Sequence, residues 1–109
     1  MTEAEFLDTC DRLLTAIEDA LDRSGLDAET ARSGHVLEIE FDDGAALIVN
    51  GNAPLREIWV AARSGAFHFR FVDGAWRDTR SAGELFATLS DIASRHAGQS
   101  VRLGPSASS

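Results

Sequence analysis

The chain has one cysteine, no lysine and no apolar run long enough to cross a bilayer. A single thiol cannot form an internal disulfide, and Cys10 lies on the apolar stripe of a helical segment, where it reads as a small core residue rather than a nucleophile. A membrane helix needs about 18 consecutive apolar residues, and none is present. The N-terminus, Met1-Thr2-Glu3-Ala4-Glu5, lacks both the cationic start of a signal peptide and the arginine-rich character of a transit peptide, so the expected location is a bacterial-type cytoplasm. All ten basic residues are arginine; that carries no functional reading.

Cationic excess is also missing. The net charge is −8, and it is unevenly spread. Met1 to Asp43 holds thirteen carboxylates against three arginines, whereas Gly44 to Ser109 holds five against seven. A surface this acidic repels nucleic acid and anionic lipid and attracts metal cations and basic protein surfaces. Enzyme signatures are absent too: there is no phosphate-cradling glycine loop, Gly-x-Ser-x-Gly, His-Glu-x-x-His or Cys-x-x-Cys. His35, His68 and His96 are scattered over a loop, a strand and a helix. His96, on an apolar stripe near a helix end, is expected to pack or to bond a terminal carbonyl rather than ligate metal.

At 109 residues with 44% apolar content, the chain fits one domain and one core, expected over residues 1–103 with a disordered tail at 104–109. At about 100° per residue, Phe6, Leu7, Cys10, Leu13, Leu14, Ile17 and Leu21 form one face of a first helix. Asp8, Asp11, Glu18, Asp19 and Asp22 lie nearly opposite. Thr2 and Glu5 have capping-box spacing, and Gly25 supplies the stop. A charged outer face is ordinary for a soluble helix, but a merely solubilising one mixes signs, because opposite i,i+4 pairs stabilise and like pairs repel. Here Asp8, Asp11, Glu18 and Asp22 stack with no cation evident among them.

A polar connector is expected near Ser24 to Gly34. Val36 to Phe41 then alternates as a half-buried strand, with Leu37, Ile39 and Phe41 inward and Glu38 and Glu40 outward. Asp42-Asp43-Gly44 signals a hairpin into Ala45–Val49, and Asn50 to Pro54 breaks the pattern. Further strands are expected at Glu57–Ala62, Phe67–Phe71 and briefly at Trp76. A final helix from Ser81 to Ala97 presents Leu85, Phe86, Leu89, Ile92, Ala93 and His96, with Ser81 and Glu84 as a second capping box and Gly98 as the stop. The expected architecture is α+β: a two-layer α/β sandwich, an antiparallel sheet of about five to six strands with both terminal helices on one face.

If Ile58 and Val60 face the helices, Trp59 faces solvent beside His68 and Arg70. An exposed tryptophan there either covers its cross-strand neighbours or anchors a protein partner. The clustered carboxylates suit cations such as Fe²⁺, Mn²⁺, Mg²⁺ or Ca²⁺. Without a preformed cage, such binding is weak and unselective.

Helix, acidic ridge, meander, outward tryptophan and closing helix together resemble the frataxin family in its bacterial form, over residues 3–103. Asn50-Gly51-Asn52-Ala53-Pro54-Leu55-Arg56-Glu57-Ile58-Trp59 resembles the family's Asn-x-Gln-x-Pro-x-x-Gln-[Ile/Val]-Trp, and Trp76 followed by Arg80-Ser81 also fits. Asn52 and Glu57 stand where glutamine is usual, and Glu57 adds a charge that bears on partner choice. Glu18, Asp19 and Asp22 match the family's ridge, which Asp27 and Glu29 continue, whereas Arg23 replaces a carboxylate common in bacterial members.

The resemblance implies an iron-binding regulator of iron–sulfur cluster assembly that is not an enzyme and docks on a cysteine desulfurase and its scaffold protein. The metal candidates are Asp8, Asp11, Glu18, Asp19, Asp22, Asp27 and Glu29, holding iron weakly with no organic cofactor. The partner-binding candidates are Glu18, Asp19, Asp22, Glu38, Glu40, Asn50, Asn52, Trp59 and His68. The expected state is a monomer without iron, with iron-dependent oligomers, and with no nucleic-acid or membrane partner. The rivals are a ferroxidase or iron store at paired carboxylates, and an acidic interaction module with no metal role.

Overall fold

The computed structural model describes residues 1–105 as α1 (Glu3–Ser24), β1 (Ala28–Ser33), β2 (Val36–Phe41), β3 (Ala46–Asn52), β4 (Glu57–Ala62), β5 (Gly65–Val72), β6 (Ala75–Asp78) and α2 (Leu85–Ala97). The six strands form one antiparallel meander in chain order. Short connections and period-two apolar patterning make this the direct way to bury one sheet face.

α1 begins as expected. Thr2 Oγ1 accepts from the Glu5 N–H at 3.1 Å and Glu5 Oε1 accepts from the Thr2 N–H at 2.7 Å, the reciprocal pattern that satisfies two orphan donors. Gly25, at φ 74°, ends the helix in the left-handed conformation that glycine adopts without cost. Phe6, Cys10, Leu13, Leu14, Ile17 and Leu21 meet Leu37, Ile39, Leu47, Val49, Ile58, Val60 and Phe69 from the sheet, and Leu85, Leu89 and Ile92 from α2. Each such side chain contributes about 1.5–3 kcal/mol on full burial.

Several expectations need correction. The polar connector contains a strand: β1 runs antiparallel to β2, pairing Glu29 with Glu40 and Ala31 with Glu38. β3 continues through Asn52 because Asn50, Gly51 and Asn52 pair with Trp59, Ile58 and Glu57. The break falls after Asn52, whose Oδ1 accepts from the Leu55 N–H at 3.1 Å and closes the turn into β4. α2 starts at Leu85 rather than Ser81. Ala82 has φ 62°, the Asp78 N–H donates to the Gly83 carbonyl at 2.8 Å and Arg77 bridges to Glu84, so residues 79–83 are held as a loop. Glu84 itself is the cap, accepting from the Phe86 and Ala87 N–H groups at 2.9 and 3.1 Å, while Ser81 Oγ accepts from the Gly83 N–H. Phe71 shares the inner register of Phe67 and Phe69 but lies near the sheet edge and is 46% exposed, packing edge-on against Trp76.

After α2 the chain is clasped to the helix. Ser90 and Ser94 Oγ accept from the Leu103 and Val101 N–H groups, each at 2.8 Å, and Leu103 is buried. Of the tail expected to be disordered, the Gly104 carbonyl accepts from Arg23 at 3.0 Å, and residues 106–109 lie outside the described residues.

Candidate functional site

The acidic ridge is partly neutralised by two arginines, one on α1 itself and one arriving from another element. Arg12 pairs with Asp8 one turn away at 2.7 Å. Arg32 is the larger correction. It occupies the helix-facing register of edge strand β1, opposite Leu37, and its guanidinium reaches under α1. There Nη1 donates to Thr15 Oγ1 at 2.8 Å and to Glu18 Oε1 at 3.1 Å, and Nη2 donates to the Asp11 carbonyl oxygen at 3.0 Å and to Asp11 Oδ1. With its side chain 22% exposed, Arg32 ties β1 to the middle of the ridge.

Asp19 and Asp22 are exposed and have no ion-pair partner among the described residues. Beyond Gly25 come Asp27 and then Glu29, both exposed. Glu29 sits directly across from Glu40, a like-charge pair that weakens the ladder. The unneutralised field therefore runs from the last turns of α1 around the β1 edge onto the outer sheet face. Among the described residues, no three His, Cys, Asp or Glu side chains gather closely enough to hold a metal ion.

The outer sheet face holds the second set of candidates. Trp59 pairs with Asn50 on one side and His68 on the other. Its ring stacks on the His68 imidazole, with centroids 4.6 Å apart at 13°. It is half-buried rather than fully exposed, because Glu57 holds its edge: Trp59 Nε1 donates to Glu57 Oε1 at 2.9 Å and Arg70 Nε donates to Glu57 Oε2 at 2.7 Å. Glu57 is 4% exposed. Burial pushes its carboxyl pKa up, but the bonds from Trp59 and Arg70 and the nearby positive charge pull harder, leaving it below the ordinary value. Trp59 thus both covers its neighbours and presents part of its ring. Asn50 lies on this outer face beside it, half-exposed.

His96 packs, one of the two roles expected of it, and adds a carboxylate contact that the spacing did not suggest. Its ring stacks on Phe41, centroids 5.0 Å apart, and Nδ1 lies 2.7 Å from Asp43 Oδ2 rather than at a helix-terminal carbonyl. Asp43 Oδ1 accepts from the Ala45 N–H. That backbone bond, followed by the histidine contact, lowers the Asp43 pKa. A cavity of about 290 Å³ opens beside this pair, lined among others by Asp27, Asp42, Asp43 and His96, next to the end of the ridge.

Comparison with known proteins finds relatives over nearly the whole chain. A family model described as a frataxin-like domain matches residues 1–99. The iron–sulfur cluster assembly protein CyaY of Paraburkholderia phymatum is 49% identical over 105 residues, covering 96% of this chain and 100% of the relative. Among solved structures, frataxin from Psychromonas ingrahamii superposes with a TM-score of 0.88 at 30% identity, over 94% of this chain and 97% of that one. Trimeric frataxin from the yeast Saccharomyces cerevisiae has a TM-score of 0.67 at 22% identity, over 91% of this chain and 88% of that one, a likeness of fold.

Proposed function

Because the chain belongs to the frataxin family, we propose that it serves iron–sulfur cluster assembly as a non-catalytic regulator, using the acidic ridge both to collect iron and to dock on a basic partner. The carrying observation is the run of unneutralised carboxylates at Asp19, Asp22, Asp27 and Glu29, continued by Glu38 and Glu40 on the sheet. The role in cluster assembly is supported by the curated bacterial relative.

Iron in this reading is cargo. Exposed carboxylates that do not converge meet Fe²⁺ with one or two oxygens each and leave water in its remaining positions, which gives weak, exchangeable binding. Asp8, Asp11 and Glu18 contribute less, being already engaged by Arg12 and Arg32. Ferroxidase chemistry of the ferritin type would need inward-facing paired Glu-x-x-His motifs; the ridge carboxylates face outward.

A basic surface on a cysteine desulfurase would be steered by the ridge field over the Debye length, about 8 Å at physiological salt. Trp59, flanked by Asn50, Asn52 and His68, then supplies a short-range anchor for the desulfurase–scaffold assembly. Metal on the ridge neutralises part of that field, so iron and docking oppose one another. The chain acts as a monomer until iron is shared between the carboxylates of two copies.

Replacing Asp19 and Asp22 together by asparagine is expected to weaken both Fe²⁺ uptake and desulfurase binding by about threefold to tenfold, with the fold unchanged or slightly steadier. Anaerobic Fe²⁺ titration and amide shifts over residues 8–29 on adding the desulfurase would measure both. Loss of docking alone would leave an acidic interaction module; loss of neither would make the ridge a solvated face. Arg32→Gln should have the opposite metal effect, raising Fe²⁺ uptake by freeing Asp11 and Glu18, at about 1 kcal/mol of stability. Parallel urea unfolding and Fe²⁺ titration would record the two changes.

A further inference from the structure

The outer sheet face has a second pole, opposite in sign to the ridge. Across it, Glu29, Glu38 and Glu40 on β1 and β2 give way to Val36, Ile48 and Ala61, then Trp59, and finally His68, Arg70 and Arg77 on β5 and β6. Arg70 and Arg77 are directly opposite one another. Like charges in that position destabilise the pair of strands, and in a chain of net charge −8 carboxylates to relieve them are abundant elsewhere. Yet Arg77 has no carboxylate partner among the described residues and makes only a long 3.5 Å contact with the Ala82 carbonyl. Arg70 bonds Glu57 through Nε, leaving its two terminal nitrogens available. The two guanidiniums line a cleft of about 550 Å³ with Val72, Asp78, Thr79 and Ala82, and Val72 is 48% exposed.

We infer that this Arg70–Arg77 cleft is a docking site for an acidic segment of a protein partner, a carboxylate seated between the guanidiniums and an apolar neighbour against Val72. Paired guanidiniums suit carboxylates because each offers parallel donors in a planar fork. The apolar shoulder and the open position on the sheet favour an extended chain over an enclosed small molecule, which a pocket normally buries almost completely. The site is independent of the ridge: it lies at the opposite edge of the sheet and selects a partner of opposite charge. One chain could thereby touch a basic and an acidic surface at once, with orientation fixed by the charge gradient between the two sites.

The test uses the intact labelled protein and a short peptide alternating glutamate with leucine. The peptide should shift amides over residues 68–82, leave residues 8–29 unmoved and bind less tightly as salt rises. Arg77→Glu, on an exposed side chain outside the Glu57 contacts, should weaken it by about tenfold or more, and Arg77→Gln by less. Inorganic phosphate at matched ionic strength should displace the peptide poorly. Absence of shifts at 68–82, an unchanged affinity in Arg77→Glu, or full displacement by phosphate would overturn the proposal. Concentration-dependent self-association abolished by Arg77→Glu would also overturn it, by assigning the cleft to a second copy of the chain.

Discussion

Gly51→Ala is expected to destabilise the protein by about 1–3 kcal/mol, and Cys10 is the reason. A Cβ at Gly51 would lie 2.5 Å from Cys10 Sγ and 3.5 Å from His35 Cβ. Gly51 occupies the inward register of β3, opposite Ile58, and its N–H donates to the His35 carbonyl at 2.9 Å. The strand therefore cannot step back without losing ladder bonds. Nor can the thiol easily turn aside, because Cys10 is fully buried in the close-packed core; the same burial raises its pKa. Urea unfolding should show a lower midpoint at constant slope, the mark of lost stability in an otherwise similar transition. Removing the sulfur should relieve the clash, so Cys10→Ala with Gly51→Ala should recover about 1–2 kcal/mol relative to additivity. If Gly51→Ala costs the same in both backgrounds, contact between α1 and β3 is not what requires glycine there.

The Gly51–Cys10 contact also marks where sequence reasoning reached its limit. Periodicity locates Cys10 on the buried stripe of α1 and Leu37, Ile39 and Phe41 on the inner face of β2, because each element reports its own burial. It does not say that Gly51 passes beneath Cys10. The same limit accounts for β1. Its helix-facing positions are Ala28, Thr30 and Arg32, so no row of large apolar side chains announces a strand, and its inward anchor is an arginine bonded to α1. Gly34, at φ 58°, turns β1 into β2, yet in sequence it falls at the end of the expected polar connector. For the ridge, a helical wheel sees i,i+4 neighbours; it should have paired Asp8 with Arg12, but it could not see Arg32 arriving from another element.

The two poles of the sheet face follow from register, which places the glutamates of β1 and β2 at one edge and Arg70 beside Arg77 at the other. The seven arginines after Asp43 were legible as a mild positive excess. Their concentration into a cleft was not, because Arg70 and Arg77 become neighbours only when β5 and β6 pair. The alternation that turned Trp59 outward was correct, yet its degree of exposure depends on Glu57, two residues away on the same outer face, whose burial alternation does not indicate.

Glu57→Ala is accordingly expected to lower stability by about 1–3 kcal/mol and to change its dependence on acid. The carboxylate receives the Trp59 indole N–H and the Arg70 Nε–H. Alanine would leave the partly buried indole donor unpaired, whereas Arg70, with its side chain 63% exposed, can return to water; this keeps the cost below that of stranding a buried charge. Because the folded Glu57 pKa is lower than its ordinary 4.5, its contribution is fully present above the unfolded value and is lost as pH falls through the folded one. Asp43 acts in the same direction from its ordinary 3.8, so wild-type stability should fall with acid through both groups. Glu57→Ala should start lower at neutral pH and decline less steeply below about pH 4.5, a difference that urea unfolding at stepped pH, followed by tryptophan fluorescence, would register. Glu57→Gln should be intermediate at neutral pH, since its amide oxygen can still accept from Trp59 while its NH₂ meets the Arg70 donor unfavourably. If the variant and wild-type acid limbs run parallel, Asp43 and other carboxylates carry the acid sensitivity and the Glu57 contacts only orient Trp59.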